Sequence, residues 1–203
     1  MFSINIHAEV CKYDDERIAS TQKPIGRMVT IDRDSVCTAT MISSSCFVTS
    51  GVCAKQNKVI EFNVPQSIDN QPIHPSEENI YEVDSTSFIF DTRGVGQPWS
   101  VAKVFPNKIT GKKAGDIQGF FPVISKKPRK NDPIIIYQYA LTDPDRYDVR
   151  SGEVGVNING KTLSYSQSSG LGKLINAGIF LLPSILEHDI DTTSGAAGAP
   201  IIN

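Results

Sequence analysis

The chain has 203 residues, enough for one large all-β domain or two small lobes that each bury a core. Its 20 basic and 22 acidic side chains leave a formal charge of −2, which makes no electrostatic case for nucleic acid or an anionic membrane as partner. The longest apolar run, around 179–182, is strand-sized, so no bilayer-spanning helix is expected.

Residues 1–24 are polar and mixed, with D-D-E-R in the middle, and read as an N-terminal arm; no basic flank followed by an apolar stretch marks an export signal there. From residue 25 short segments of β-type composition begin: I-G-R-M-V-T-I, V-C-T-A-T-M-I, C-F-V-T-S, V-I-E-F-N-V, T-S-F-I-F and W-S-V-A-K-V-F. Gly, Pro, Asn and Asp clusters separate them, and no long amphipathic helical period intervenes. Six such strands fit a closed antiparallel barrel over 25–105.

A connector is expected over 106–118, followed by Q-G-F-F-P-V-I as a strand and K-K-P-R-K-N-D-P as a solvated loop broken by Pro128 and Pro133. A second lobe over 119–203 then carries I-I-I-Y-Q-Y-A, Y-D-V-R-S-G-E-V-G-V-N-I, K-T-L-S-Y-S and A-G-I-F-L-L. Asn159-Gly160 between two of these is a hairpin-turn signal.

Four cysteines do not make a disulfide-dense scaffold. Cys37 and Cys53 flank a strand–turn–strand pattern; paired as a hairpin, its open end would bring both within bridging reach, and the alternative is two small buried apolar residues. Cys11 and Cys46 read equally well as a second bridge or as free thiols. There is no C-x-x-C pair, and His7, His74 and His188 do not cluster, so neither a zinc site nor any other cofactor is expected.

The stretch D-T-T-S-G-A-A-G-A-P-I-I (191–202) has the rhythm of a nucleophile loop. Gly195 and Gly198 allow a tight turn that aims backbone N–H groups at one point, the arrangement that holds a developing oxyanion. Together with T-A-T-M-I-S-S-S-C-F-V-T-S-G-V-C (38–53) and G-Q-P-W-S-V-A-K-V-F-P-N (96–107), it makes the chain resemble the trypsin-fold serine proteases, in particular the bacterial glutamyl endopeptidases. Relatives carry Thr-Ala-Gly-His-Cys at the end of the first segment, an aspartate before the tryptophan in the second, and Gly-Asn-Ser-Gly-Ser-Pro in the third.

The resemblance implies an all-β fold of two antiparallel barrels, the second truncated at the C-terminus by comparison, and a Cys37–Cys53 disulfide beside the histidine loop. It places the histidine at Val52, the aspartate at Pro98 and the serine at Ala197. Triad hydrolysis needs a hydroxyl, an imidazole to take its proton and a carboxylate to orient that imidazole, and none of these three side chains supplies one.

The expected function is therefore a catalytically inactive homologue that binds a protein or peptide, with Gly195 and Ala197 retaining an oxyanion-hole-like pair of N–H groups. The alternatives are a hydrolase with a relocated nucleophile at Ser194 or at the adjacent Thr192 or Thr193, and a subunit whose open strand edge pairs with another chain. His188, Asp189 and Asp191 read as surface and turn residues, and Trp99 as packing at the junction of the lobes. The resemblance and the disulfide imply a secreted protein.

Overall fold

The computed structural model describes residues 18–30, 36–54, 58–66, 73–91, 98–125, 128–139, 167–179, 182–188, 190, 192 and 195–202. Six strands close the first barrel in the order β2-β3-β4-β7-β6-β5: β2 (Ile25–Thr30), β3 (Val36–Met41), β4 (Cys46–Thr49), β5 (Lys58–Glu61), β6 (Ile80–Asp91) and β7 (Trp99–Val104). All their pairings are antiparallel. Closure removes the exposed edges that six short strands would otherwise offer.

Strand alternation explains what each face does. Met28, Cys37, Ala39, Met41, Phe47, Ile60, Tyr81, Val83, Ala102 and Val104 fill the barrel as one apolar cluster. The intervening residues of β2, Ile25, Arg27 and Val29, point the other way. Ile25 and Val29 join Tyr139 in a second cluster that seals the barrel against the second lobe, with Val59, Phe121 and Tyr137 packed around it.

In β6 the register slips between Asp84 and Ile89. Asp84 holds the irregularity by accepting bonds from the Thr86 N–H at 3.1 Å and the Thr86 hydroxyl at 2.6 Å. Between these pairs β6 advances five residues and β7 two, and the odd excess of three reverses the alternation. Tyr81 and Val83 point inward before the slip, and Phe88 packs on the same cluster after it, edge-on to Phe47. Ile89 is thereby left on the outer surface.

The second lobe is a five-stranded sheet. Its strands are β1 (Ile18–Ala19), β8 (Pro133–Tyr139), β9 (Gln167–Ile179), β10 (Leu182–His188) and β11 (Ile201–Ile202). β9 is central, flanked by β1, β8 and β10, and β11 pairs with β8. Ile134, Ile136, Leu174 and Ile190 form its core cluster. The last residues of the polar arm are thus part of this sheet, through Ile18 and Ala19.

Two expectations need correction. Q-G-F-F-P-V-I is not a strand: a short helix α1 (Ala114–Gln118) ends at Gly119, whose φ of 77° turns the chain, and the residues after it form no ladder. Pro122, which has no N–H, breaks any donor pattern there. A-G-I-F-L-L is not one strand either, since β9 ends at Ile179 and β10 starts at Leu182. Most of β9 is the polar, glycine-containing Q-S-S-G-L-G-K-L, which composition does not mark as β. Y-D-V-R-S-G-E-V-G-V-N-I, K-T-L-S-Y-S and Asn159-Gly160 lie outside the described residues.

The connector belongs to the first barrel. The Gly115 N–H donates to the Ser44 carbonyl at 2.9 Å, and the Phe121 N–H to the Met41 carbonyl at 3.0 Å. Asn107 donates through Nδ2 to the Glu77 and Ile80 carbonyls at 2.8 and 2.9 Å. Among the described residues no helix is long and apolar enough to cross a membrane.

Candidate functional site

The three motifs meet beside Thr38 of β3, the end of β4 and the start of β7. Ser50 follows β4 and leads into a single 3₁₀ turn, Gly51–Cys53, that carries Val52. Gly51 is required because a Cβ there would fall on the Asp91 carbonyl and press on the Trp99 backbone. The ends of β6 and β7 therefore lie directly against this turn. Pro98 sits immediately before β7, and its carbonyl accepts a long 3.4 Å bond from the Ser50 hydroxyl. In return the Ser100 hydroxyl donates to the Ser50 carbonyl at 3.1 Å.

The turn at 195–198 is fastened from the other side. The Thr38 N–H donates to the Ala197 carbonyl at 2.9 Å, and the Thr38 hydroxyl to the Gly195 carbonyl at 3.0 Å. That hydroxyl also accepts the Tyr139 N–H at 3.0 Å, so one threonine joins β3, β8 and the turn. The Cys53 sulphur lies 3.8 Å from the Ala197 carbonyl oxygen. Gly198 has a φ of 90°, and a Cβ on it would strike the Thr38 carbonyl and the Thr49 hydroxyl. Only glycine lets the turn approach the barrel this closely.

The Cys37–Cys53 disulfide forms, with Cα atoms 6.4 Å apart, and ties β3 to the turn that bears Val52. Cys46 is a free, half-buried thiol, and Cys11 lies outside the described residues.

Val52 is 68 % exposed and Ala197 is exposed, while Pro98 is half-buried. The backbone contacts through Ser50 and Cys53 thus bring the segments bearing Val52, Pro98 and Ala197 to one place. Among the described residues no hydrogen bond uses the N–H of Gly195 or Ala197, and a bond from the Ala199 N–H to the Ala196 carbonyl at 2.8 Å closes the turn. Trp99 does not pack into the junction of the lobes as expected: it starts β7 on the outer face and remains 46 % exposed.

Of the alternative nucleophiles, Thr192 is half-buried, and Thr193 and Ser194 lie outside the described residues, as do His7, Asp189 and Asp191. His188 closes β10. No group of three or more His, Cys, Asp or Glu side chains that could hold a metal occurs among the described residues.

One charged cluster is not evident from the motifs. Arg27 and Glu61, opposite each other on β2 and β5, form an ion pair at 2.6 Å with both side chains almost fully buried. Arg27 Nε adds a 2.8 Å bond to the same carboxylate oxygen, and Nη2 donates to the Ile73 carbonyl at 2.8 Å. His74 Nδ1 lies 2.7 Å from the second Glu61 oxygen. With Glu61 ionised against Arg27, Nδ1 must carry a proton to bond there, so it cannot also accept from Arg27 Nη2 at 3.2 Å. The signal available in the sequence was the parity of Arg27, a charge on the apolar face that Ile25 and Val29 define.

No protein-family model and no curated protein matches the sequence. Solved structures do match the fold. A thermostable serine protease, AL20, from an extremophilic microorganism superposes with a TM-score of 0.63 at 16 % identity, over 90 % of this chain and 79 % of its own. A Glu endopeptidase superposes with 0.62 at 18 %, over 96 % and 82 %. Human heparin binding protein superposes with 0.60 at 8 %, over 93 % and 79 %. At these identities the likeness establishes the fold, which is that of the trypsin-like serine proteases.

Proposed function

We propose that this chain is a catalytically inactive member of the trypsin-fold group that binds a peptide or protein segment without cutting it. The observation that supports this most directly is chemical. Where the histidine-loop turn, the segment before β7 and the 195–198 turn converge, the side chains are Val52, Pro98 and Ala197. None can attack a carbonyl, accept a proton or orient an imidazole. Loss of one nucleophile or base from such a site costs about a million-fold in kcat, and what remains comes from oxyanion binding and positioning.

The framework kept around those positions supports binding rather than decay. Thr38, Gly51, Gly198 and the Cys37–Cys53 bridge hold a turn whose Gly195 and Ala197 N–H groups suit a carbonyl or carboxylate oxygen. One fold neighbour, human heparin binding protein, is itself named for what it binds. The disulfide fits an oxidising, secreted setting for this chain.

The test is incubation with a serine-reactive phosphonate probe, followed by peptide mapping and by assays on casein and peptide esters. No labelling over 191–199 and no turnover are expected. Stoichiometric labelling at Ser194, with hydrolysis lost in Ser194→Ala, would establish the relocated-nucleophile hydrolase instead.

A further inference from the structure

We propose that the loop 105–113, between β7 and α1, docks the protein on an anionic phospholipid surface, with Ile109 entering the interfacial layer and Lys112 and Lys113 meeting lipid phosphates. This goes beyond the peptide-binding reading and is independent of what the 195–198 turn holds.

The loop is built as a fixed projection. Asn107 is 3 % exposed, and both ends of its side chain are used. Nδ2 ties the loop to the Glu77 and Ile80 carbonyls, while Oδ1 accepts the Ile109 N–H at 3.0 Å and the Thr110 N–H at 2.8 Å. The backbone closes around that side chain: the Asn107 N–H donates to the Lys112 carbonyl at 2.9 Å, and the Gly111 N–H to the Asn107 carbonyl at 2.8 Å. Gly111, with a φ of 68°, makes the return, and a Cβ there would meet nothing within 4 Å. Asn107 excepted, every residue from Phe105 to Lys113 is exposed. A loop held in one conformation beforehand avoids the ordering cost that a flexible one meets on binding.

Ile109 is 64 % exposed at the tip. Between Trp99 and Gly115 the chain carries Lys103, Lys108, Lys112 and Lys113 and no acidic residue. The nearest acidic groups lie on the barrel side and on α1. Glu77 and Glu78 form the turn before β6, where Asn107 is anchored, and Asp116 follows on α1. Glu82 of β6 meets Lys108 at 2.5 Å, an exposed pair of little energetic weight. Lys112 and Lys113 come after the tip, on the return toward α1. The formal charge of −2 averages over this segregation.

A single exposed isoleucine is ordinary, and surface lysines alone suit any polyanion. An apolar tip with lysines before and after it matches a lipid interface. There the alkyl group leaves water at the acyl boundary while the ammonium groups reach back to phosphates. A soluble polyanion would use the lysines and leave Ile109 in water.

The test is sedimentation with vesicles of phosphatidylcholine, alone or with about one-third phosphatidylserine, in about 0.1 M salt. The parent chain should partition onto the anionic vesicles and remain in solution with the neutral ones. Lys112→Gln with Lys113→Gln should weaken that partition about thirtyfold, about fivefold for each lysine at an anionic surface. Ile109→Ser should weaken it about tenfold, for loss of one partly buried apolar side chain. Both changes are at exposed positions, so far-UV spectra should match the parent's. Failure of the parent chain to partition overturns the proposal, as does equal partition onto neutral vesicles. So does unaltered binding by the lysine variant. Weakening by the lysine variant with none by Ile109→Ser also overturns it, and assigns the lysines to a soluble polyanion instead.

Discussion

The interior of the first barrel and the seam between barrel and second sheet are built from the same strands by opposite means. Inside, Met28, Phe47, Ile60, Phe62 and Tyr81 pack without charge. At the seam, alternate residues of the same strands supply Arg27, Glu61 and Thr38; the Tyr139 N–H of the second sheet donates to the Thr38 hydroxyl, and Gln167 donates to the Tyr139 hydroxyl. Apolar packing is nearly indifferent to small rotations, whereas hydrogen bonds are directional. The interior supplies cohesion, and the seam fixes how the 195–198 turn is set on the ends of β3 and β4.

That division can be broken first from the inside. Phe47 is fully buried and edge-on to Phe88 at 6.1 Å between ring centroids. Phe47→Ala should cost about 3–5 kcal/mol in denaturant unfolding, the range for deleting a buried aromatic side chain. A loss below about 1 kcal/mol would mean that the barrel collapses around the gap and that its interior is not the main source of stability.

At the seam, Glu61→Leu should cost a similar amount, about 3–5 kcal/mol, because it strands a buried Arg27. Arg27→Met with Glu61→Leu should recover most of that loss, since a buried ion pair is often replaceable by apolar groups of like volume. If the double variant is as unstable as the single one, the pair contributes net stability and the seam is not merely orienting.

The disulfide comes next. Closing a loop between Cys37 and Cys53, 16 residues apart, should be worth about 3 kcal/mol by chain entropy. The Cys37→Ala, Cys53→Ala variant should lose about that much in guanidinium titrations. A loss near zero would show that Gly51 packing on β7 and the Thr38 bonds already hold the Val52 turn.

Much of the first barrel was legible because its strands alternate cleanly between interior and seam, as V-C-T-A-T-M does with Cys37, Ala39 and Met41 inward. The site was legible at the level of segments: the three motifs meet, and the Cys37–Cys53 bridge forms. What escaped depends on contacts distant in sequence. β9 is held by β8 and β1 on either side rather than by its own propensity, so its glycines and serines concealed it. The slip in β6 hid the side on which Ile89 would emerge, because its odd excess of three residues reverses the alternation. Thr38 looked like one threonine among several until Gly195 and Tyr139 were found at its hydroxyl.

The smallest effect separates seam from barrel by pH. Burial raises the Tyr139 pKa well above its ordinary 10.0, opposed by its bond from Gln167, so the folded state keeps the phenol neutral where the unfolded chain ionises it. That contribution is fully present below pH 10 and is lost as pH climbs toward the folded value. Burial lowers the pKa of Lys58 on β5 from 10.5, so the folded state holds fewer protons there than the unfolded chain, and stability gains as pH rises toward 10.5. The two slopes oppose each other, each at most about 1.4 kcal/mol per pH unit for one proton. In guanidinium unfolding at pH 9, 10 and 11, Lys58→Met should fall off more steeply than the parent chain. Tyr139→Phe should fall off less, because it keeps the ring packed against Ile25 and Val29 and removes only the ionisable oxygen. Identical slopes for parent and Tyr139→Phe would mean that water reaches the phenol, and that the seam is looser than its hydrogen bonds imply.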